Sequence, residues 1–188
     1  MSGKERFKSY PLVMTAVMAA VLAVISPFVL PIGPVPISLC TLAIWLTVYI
    51  LGWRRGTAAV LVYVLLGAAG MPVLAGFTGG LGRLLGPTGG YIVGYLPLAA
   101  ITGLFVERWR DRRLLHLAGM VLGSAVLYVM GTAWYCFQAE TTLVGALAVC
   151  VLPVLPGDLM KMAAALAMGP VIRRRLEKAG LCPGPAMN

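Results

Sequence analysis

The sequence predicts an all-α integral membrane protein with six transmembrane helices, both termini in the cytoplasm, and a short re-entrant or interfacial helix before the last span. Three observations predict it. Of the 188 residues, 60 % are hydrophobic and only 11 % charged, whereas a soluble domain carries about 25 % charge. The apolar residues fall into runs near the roughly 17–25 residues that cross a hydrocarbon core. The lysines and arginines cluster between those runs rather than within them. The chain reads as one membrane domain, 1–188, with spans at about 11–32, 37–53, 56–75, 90–106, 114–137 and 158–173 and a tail at 176–188.

The first run follows KERFKSY, in the manner of a signal peptide. It is too long for the apolar region of one, and its small-residue cleavage signal is poor, so it reads as a retained span. Within it Ala16/Ala20 and Ala19/Ala23 place small residues at i, i+4, which lets a partner helix approach closely. The next segment, SPFVLPIGPVPIS, holds Pro27, Pro31, Pro34 and Pro36 and no charge. Prolines without N–H donors stiffen an extended chain, which suits a wall or lid over an outer cavity.

Spans two and three are joined at Arg54-Arg55, and a glycine-rich connection carrying Arg83 leads to span four. Gly80, Gly82 and Gly86 lack the spacing, preceding strand and lysine of a nucleotide-binding loop. Such glycines permit tight turns and close approach to a ligand or a neighbouring helix, or simply allow the loop to pack. Pro87-Thr88-Gly89-Gly90 ends the loop and starts span four. Gly131-Thr132 and Trp134, near the outer end of span five, form either a pocket wall or interfacial packing. The apolar segment 143–155 is short and interrupted by Pro153 and Pro156, so it reads as interfacial or re-entrant.

Orientation follows from the basic residues. Those before span one, between spans two and three, between spans four and five, and after span six hold 13 of the 15 lysines and arginines. All four segments lie on one side in a six-span arrangement, and the loops opposite hold only Arg83. The positive-inside rule puts both termini in the cytoplasm and the chain in the cell (cytoplasmic) membrane as a multi-pass protein.

The remaining lysine, Lys161, stands with Asp158 in VLPVLPGDLMKMAAALAMGPVI. A charge in hydrocarbon costs roughly 2.5–3.5 kcal/mol on insertion scales. At i, i+3 the two side chains share a helical face and neutralise each other, and Pro156-Gly157 puts Asp158 at the positive end of the helix dipole. Counting back from Arg173 at about 1.5 Å per residue sets Asp158 about 22 Å from the cytoplasmic edge, in the outer half of the membrane. The pair is either an ion pair that locks two spans or a ligand-facing site in a cavity open to the outside.

Other chemistries lack residues. Cys40, Cys136, Cys150 and Cys182 show no metal-ligand or disulfide-framework spacing. The single His116 follows a basic loop on the cytoplasmic side, away from any nucleophile–base arrangement. The +9 net charge is spent on topology rather than on nucleic acid. No metal, cofactor or catalytic residue is expected.

Four segments, GPVPISLCTLAIWL, GGLGRLLGPTGGYIVGY, GTAWY and LPVLPGDLMK, together resemble the BioY family, the biotin-specific S components of energy-coupling factor (ECF) transporters. The likeness runs from span one to span six, and GPTGGY and PGDLMK are its most specific parts. It implies a six-helix membrane fold and high-affinity capture of biotin at the outer face without catalysis. It also implies partners, an EcfT-type transmembrane subunit and two ATPase subunits, the former meeting Ala16 and Ala20 or Ala19 and Ala23. Since the chain shows no ATP site of its own, it is energised by such partners or acts alone by facilitated uptake. Where the family commonly reads TLQT this chain reads SLCT, so Cys40 replaces a glutamine.

Biotin's ureido ring offers two N–H donors and a carbonyl, for which Asp158 and Lys161 are complementary. Tyr91 and Trp134 would cover the bicyclic ring, and Arg83 would meet the valerate carboxylate. With Thr88, Gly89 and Gly90 of GPTGGY, these make up the expected ligand site. Three other readings stand beside it: capture of another water-soluble vitamin, an intramembrane enzyme using Asp158 as acid or base, and a structural subunit without a ligand.

Overall fold

A computed structural model describes residues 3–30, 37–110 and 112–179. The described residues form α1 (Gly3–Ile25), a ribbon of β1 (Val29–Leu30) and β2 (Ile37–Ser38), α2 (Cys40–Ala68), α3 (Leu81–Leu85), α4 (Gly89–Arg108), α5 (Arg113–Ala139), α6 (Leu143–Cys150) and α7 (Leu155–Lys178). Four of these, α2, α4, α5 and α7, are long and apolar enough to cross a membrane, and Pro11–Ile25 of α1 is a shorter apolar stretch.

The first helix differs from its expected span at both ends. It begins at Gly3, so the segment bearing Lys4, Arg6 and Lys8 is helical. It stops at Ile25 instead of residue 32, because Pro27 disfavours helical backbone at Ser26. The chain beyond turns extended, and Val29 pairs with Ser38 in an antiparallel ribbon absent from the all-α expectation. Pro31, Pro34 and Pro36, and the lid assigned to them, lie outside the described residues. Ser38 anchors the ribbon: its hydroxyl donates to the Ser26 carbonyl at 3.2 Å and accepts from the Cys40 N–H at 3.0 Å.

Over its 29 residues α2 is a hairpin. At Gly52 the backbone takes φ 77° and ψ −179°, a region open essentially to glycine alone. The chain reverses there. Cys40 Sγ lies 3.9 Å from Tyr63 Oη, although 23 residues of straight helix would separate them by about 35 Å. A Cβ on Gly56 would stand 2.8 Å from Val48 Cγ1, so the two arms touch. The turn therefore falls before Trp53 rather than at Arg54-Arg55. Glu107 of α4 secures it, accepting the Trp53 N–H at 3.1 Å and so satisfying one of the free donors that open the second arm.

Glycines let α4 and α5 run antiparallel at close range. Gly90 lies against Trp134, Gly94 against Leu127, Gly119 against Phe105 and Gly131 against the Tyr91 ring. Such small-residue seams draw membrane helices together where no hydrophobic drive exists between them. On the other side α4 meets the α2 hairpin, with Gly103 against Trp53, while Gly169 of α7 receives the Tyr49 ring. Trp45, Tyr49, Tyr63, Leu98 and Met120 are fully enclosed at the centre. The first helix attaches through Met18 and Ala19, which pack on Leu51 and Ala59.

The short helix α6 starts at Leu143 as expected, capped by the Thr142 hydroxyl, which accepts the Gly145 N–H. The last helix begins three residues before the expected 158. Pro156 sits in its first turn, where a missing N–H costs nothing.

Candidate ligand-binding site

Because α7 begins at Leu155, Asp158 falls in its first turn and Lys161 one turn later. Both point into the bundle, with Asp158 2 % and Lys161 8 % exposed. Lys161 Nζ meets Asp158 Oδ1 at 2.8 Å. Thr41, in the first turn of α2, stands between them: its hydroxyl is 3.4 Å from Asp158 Oδ1 and accepts from Lys161 Nζ at 3.4 Å. Tyr128 of α5 donates to Asp158 Oδ2. Three helices thus supply the hydrogen bonds that offset the desolvation of two buried charges. Of the three N–H bonds of the ammonium group, these contacts use two.

The pair borders a small cavity. The space holds about 40 Å³ and is also lined by Ser38, Thr41, Tyr91, Tyr95 and Tyr128. A second cavity of about 40 Å³ shares Ser38, Tyr91 and Tyr95 and adds Tyr63, Arg83 and Thr88. Tyr91 and Tyr95, at i, i+4 on α4, therefore form a common wall. On one side stands the neutralised Asp158–Lys161 pair, and on the other the Arg83 guanidinium. Thr88 Oγ1 is buried with no hydrogen-bond partner among the described residues, a donor and acceptor left over beside the second cavity.

Five of the eight expected ligand residues are thus brought together: Asp158, Lys161, Tyr91, Arg83 and Thr88. Gly89, Gly90 and Trp134 line neither cavity. Gly89 is closed in by the Leu84 carbonyl at the end of α3, and Gly90 by Trp134 in the α4–α5 seam. Trp134 turns its indole N–H to the Gly86 carbonyl at 2.9 Å and pins the end of the glycine-rich loop. Sequence reasoning missed Thr41, Ser38, Tyr95 and Tyr128. Tyr95 carried a usable signal, its i, i+4 spacing from Tyr91. Tyr128 and Thr41 meet Asp158 only through the tertiary fold.

The two alanine pairs of α1 separate. Ala16 and Ala20 are exposed, while Ala19 is 2 % exposed and Ala23 half-buried against the core. Within this chain Ala19 packs on α2 and Ala23 on the core, which leaves the Ala16/Ala20 face as the open one.

The BioY family model matches residues 2–178. The biotin transporter BioY of Thermotoga maritima is 36 % identical over 167 residues, covering 89 % of this chain and 95 % of the relative. The biotin transporter BioY of Rhodobacter capsulatus is 39 % identical over 146 residues, covering 71 % of this chain and 76 % of the relative. A solved structure described as the S-component for biotin from an ECF-type ABC transporter superposes with a TM-score of 0.82 at 28 % identity, over 93 % of this chain and 95 % of that one. A helical bundle of this shape, matched along nearly its whole length, identifies the chain as a member of the BioY family.

Proposed function

We propose that this chain is a biotin-binding membrane subunit that mediates biotin uptake and performs no catalysis. The observation that carries the reading is the pair of adjoining cavities, with a neutralised Asp158–Lys161 couple in one, Arg83 in the other and Tyr91/Tyr95 between. That order matches an elongated ligand with an uncharged polar head and an anionic end. Lys161 directs its remaining N–H to the ureido carbonyl, and Asp158 accepts a ureido N–H as Tyr128 yields Oδ2. Arg83 receives the carboxylate through its planar fork, and Thr88 contributes its unused hydroxyl.

Together the cavities are well below the roughly 300–1,000 Å³ of ordinary ligand pockets. Ligand capture therefore moves Tyr91 and Tyr95 aside and joins the two spaces. The three charged groups sum to −1 + 1 + 1 = +1, which favours an anionic vitamin over a cationic one such as thiamin.

The reading includes six crossings of the cell membrane: the apolar part of α1, the two arms of α2, then α4, α5 and α7, with α6 at the interface. Both termini are cytoplasmic by the distribution of basic residues, and the cavities face outward. The exposed Ala16/Ala20 face meets an EcfT-type subunit that joins two ATPase subunits. Titration of biotin into purified Asp158→Asn and Lys161→Ala variants tests the site: affinity falls about tenfold to a hundredfold in each. Unchanged affinity in both removes the pair from it, and mass spectrometry of small molecules co-purified from biotin-supplemented cells tests the ligand.

A further inference from the structure

At the opposite end of the bundle lies a cavity of about 240 Å³ that the biotin reading does not use. Arg110, from the α4–α5 connection, Arg113, which opens α5, and Arg173 and Arg174, from α7, line it. Among the described residues the only carboxylate in its lining is Glu177, and Arg173 holds that group at 3.1 Å. Beneath them the cavity is polar but fixed. His116 Nε2 donates to the Trp109 carbonyl at 2.9 Å, and Nδ1 lies 3.1 Å from Tyr49 Oη.

Four guanidinium groups around one half-open space repel one another, less strongly where water reaches them, and an anion among them relieves that repulsion. Arginine is the side chain best shaped to grip a phosphate, two N–H bonds to two oxygens. The cavity sits where α4, α5 and α7 leave their apolar runs, which is the level of lipid headgroups. Past Arg174 an open groove continues along Val171 to Lys178, and Val171 and Met168 present exposed apolar surface. A phosphate with hydrocarbon attached therefore finds both halves of its surroundings here. Basic pockets between membrane helices take anionic headgroups by the same physics.

We infer that this cavity binds the phosphate of an anionic membrane lipid, gripped by Arg110, Arg113 and Arg174, with the acyl chains lying along Val171. Arg173 is partly neutralised by Glu177, which limits the positive charge available to the ligand. The site is independent of biotin capture and stands on different residues.

Native mass spectrometry of the full-length chain, delipidated in neutral detergent and titrated with phosphatidylglycerol or phosphatidylcholine, tests it. Wild-type protein retains phosphatidylglycerol about tenfold or more over phosphatidylcholine. The R110Q/R174Q variant loses that preference, while R54Q/R55Q, altered outside the cavity, keeps it. E177Q, which frees Arg173, increases retention and supplies a test even where R110Q/R174Q fails to fold. Biotin affinity stays within about twofold of wild type in all three variants. Inorganic phosphate at millimolar concentration distinguishes the source: retention that survives it assigns the site to lipid, and binding of phosphate alone assigns it to a soluble anion and overturns the lipid assignment. Equal retention of the two lipids by wild type, or an unchanged preference in both R110Q/R174Q and E177Q, overturns the site itself.

Discussion

Tyr128 of α5 donates to Oδ2 of Asp158, the carboxylate oxygen that Lys161 leaves open. The phenol thus occupies the position a ligand N–H would take. Tyr128→Phe removes the donor and leaves a buried anionic oxygen without a partner, a loss of about 1–3 kcal/mol in the unliganded protein. Biotin then fills the vacancy, so its stabilising effect is larger in the variant than in wild type. Melting curves with and without saturating biotin check this. An unliganded variant as stable as wild type refutes it.

Asp158→Asn or Lys161→Met alone strands one buried charge, and each lowers stability by about 3–5 kcal/mol. The double variant D158N/K161M removes both charges and recovers most of that loss while biotin affinity stays low. Chemical denaturation beside equilibrium binding separates the two effects. A double variant that binds biotin as wild type does would show the pair to be purely structural.

Arg83→Gln weakens biotin about tenfold to a hundredfold, the usual worth of a hydrogen bond to a charged group. Biotin amide, which lacks the carboxylate, binds wild type and R83Q equally. A comparable loss for the amide would move Arg83 away from the valerate end.

Gly90→Leu drives a side chain into Trp134 and separates α4 from α5, costing more than about 3 kcal/mol. Gly82→Ala, where nothing lies within 4 Å of an added Cβ, changes stability by no more than about 0.5–1 kcal/mol. Thermal unfolding in detergent compares them. A tolerated leucine at position 90 would contradict the seam.

Ala16→Leu with Ala20→Leu alters only an exposed face, leaving biotin binding intact while co-purification with the proposed EcfT-type subunit is lost. Ala19→Leu instead overpacks the contact with Leu51 and Ala59 and destabilises the bundle by about 1–3 kcal/mol. Pull-down from the native membrane, run beside a melting curve, distinguishes the faces.

The long apolar helices were legible because charge ends them. The helix expected at 90–106 runs Gly89–Arg108 and that expected at 114–137 runs Arg113–Ala139, each bounded by the arginines of the same loop. The α2 reversal was misplaced by a few residues, since Arg54-Arg55 marks where polarity rises, whereas the turn needs a backbone only Gly52 adopts. At the site, Asp158 and Lys161 announced themselves as charges in an apolar run. Thr41 and Tyr128 did not, being 117 and 30 residues from Asp158 in sequence and ordinary in composition. Gly89 and Gly90 stood out within GPTGGY, but a glycine reads alike whether a ligand or an indole fills the space beside it.

A one-residue reversal at Gly52, clasped by Glu107, leaves the two arms of α2 no slack to slide past each other, and ties their hinge to the far end of α4. The three rods are thereby held together at the Gly52 end. If the cavities open to admit a ligand, the ribbon, the glycine-rich loop and the Tyr91 and Tyr95 rings, at the other end of these helices, are the elements placed to move.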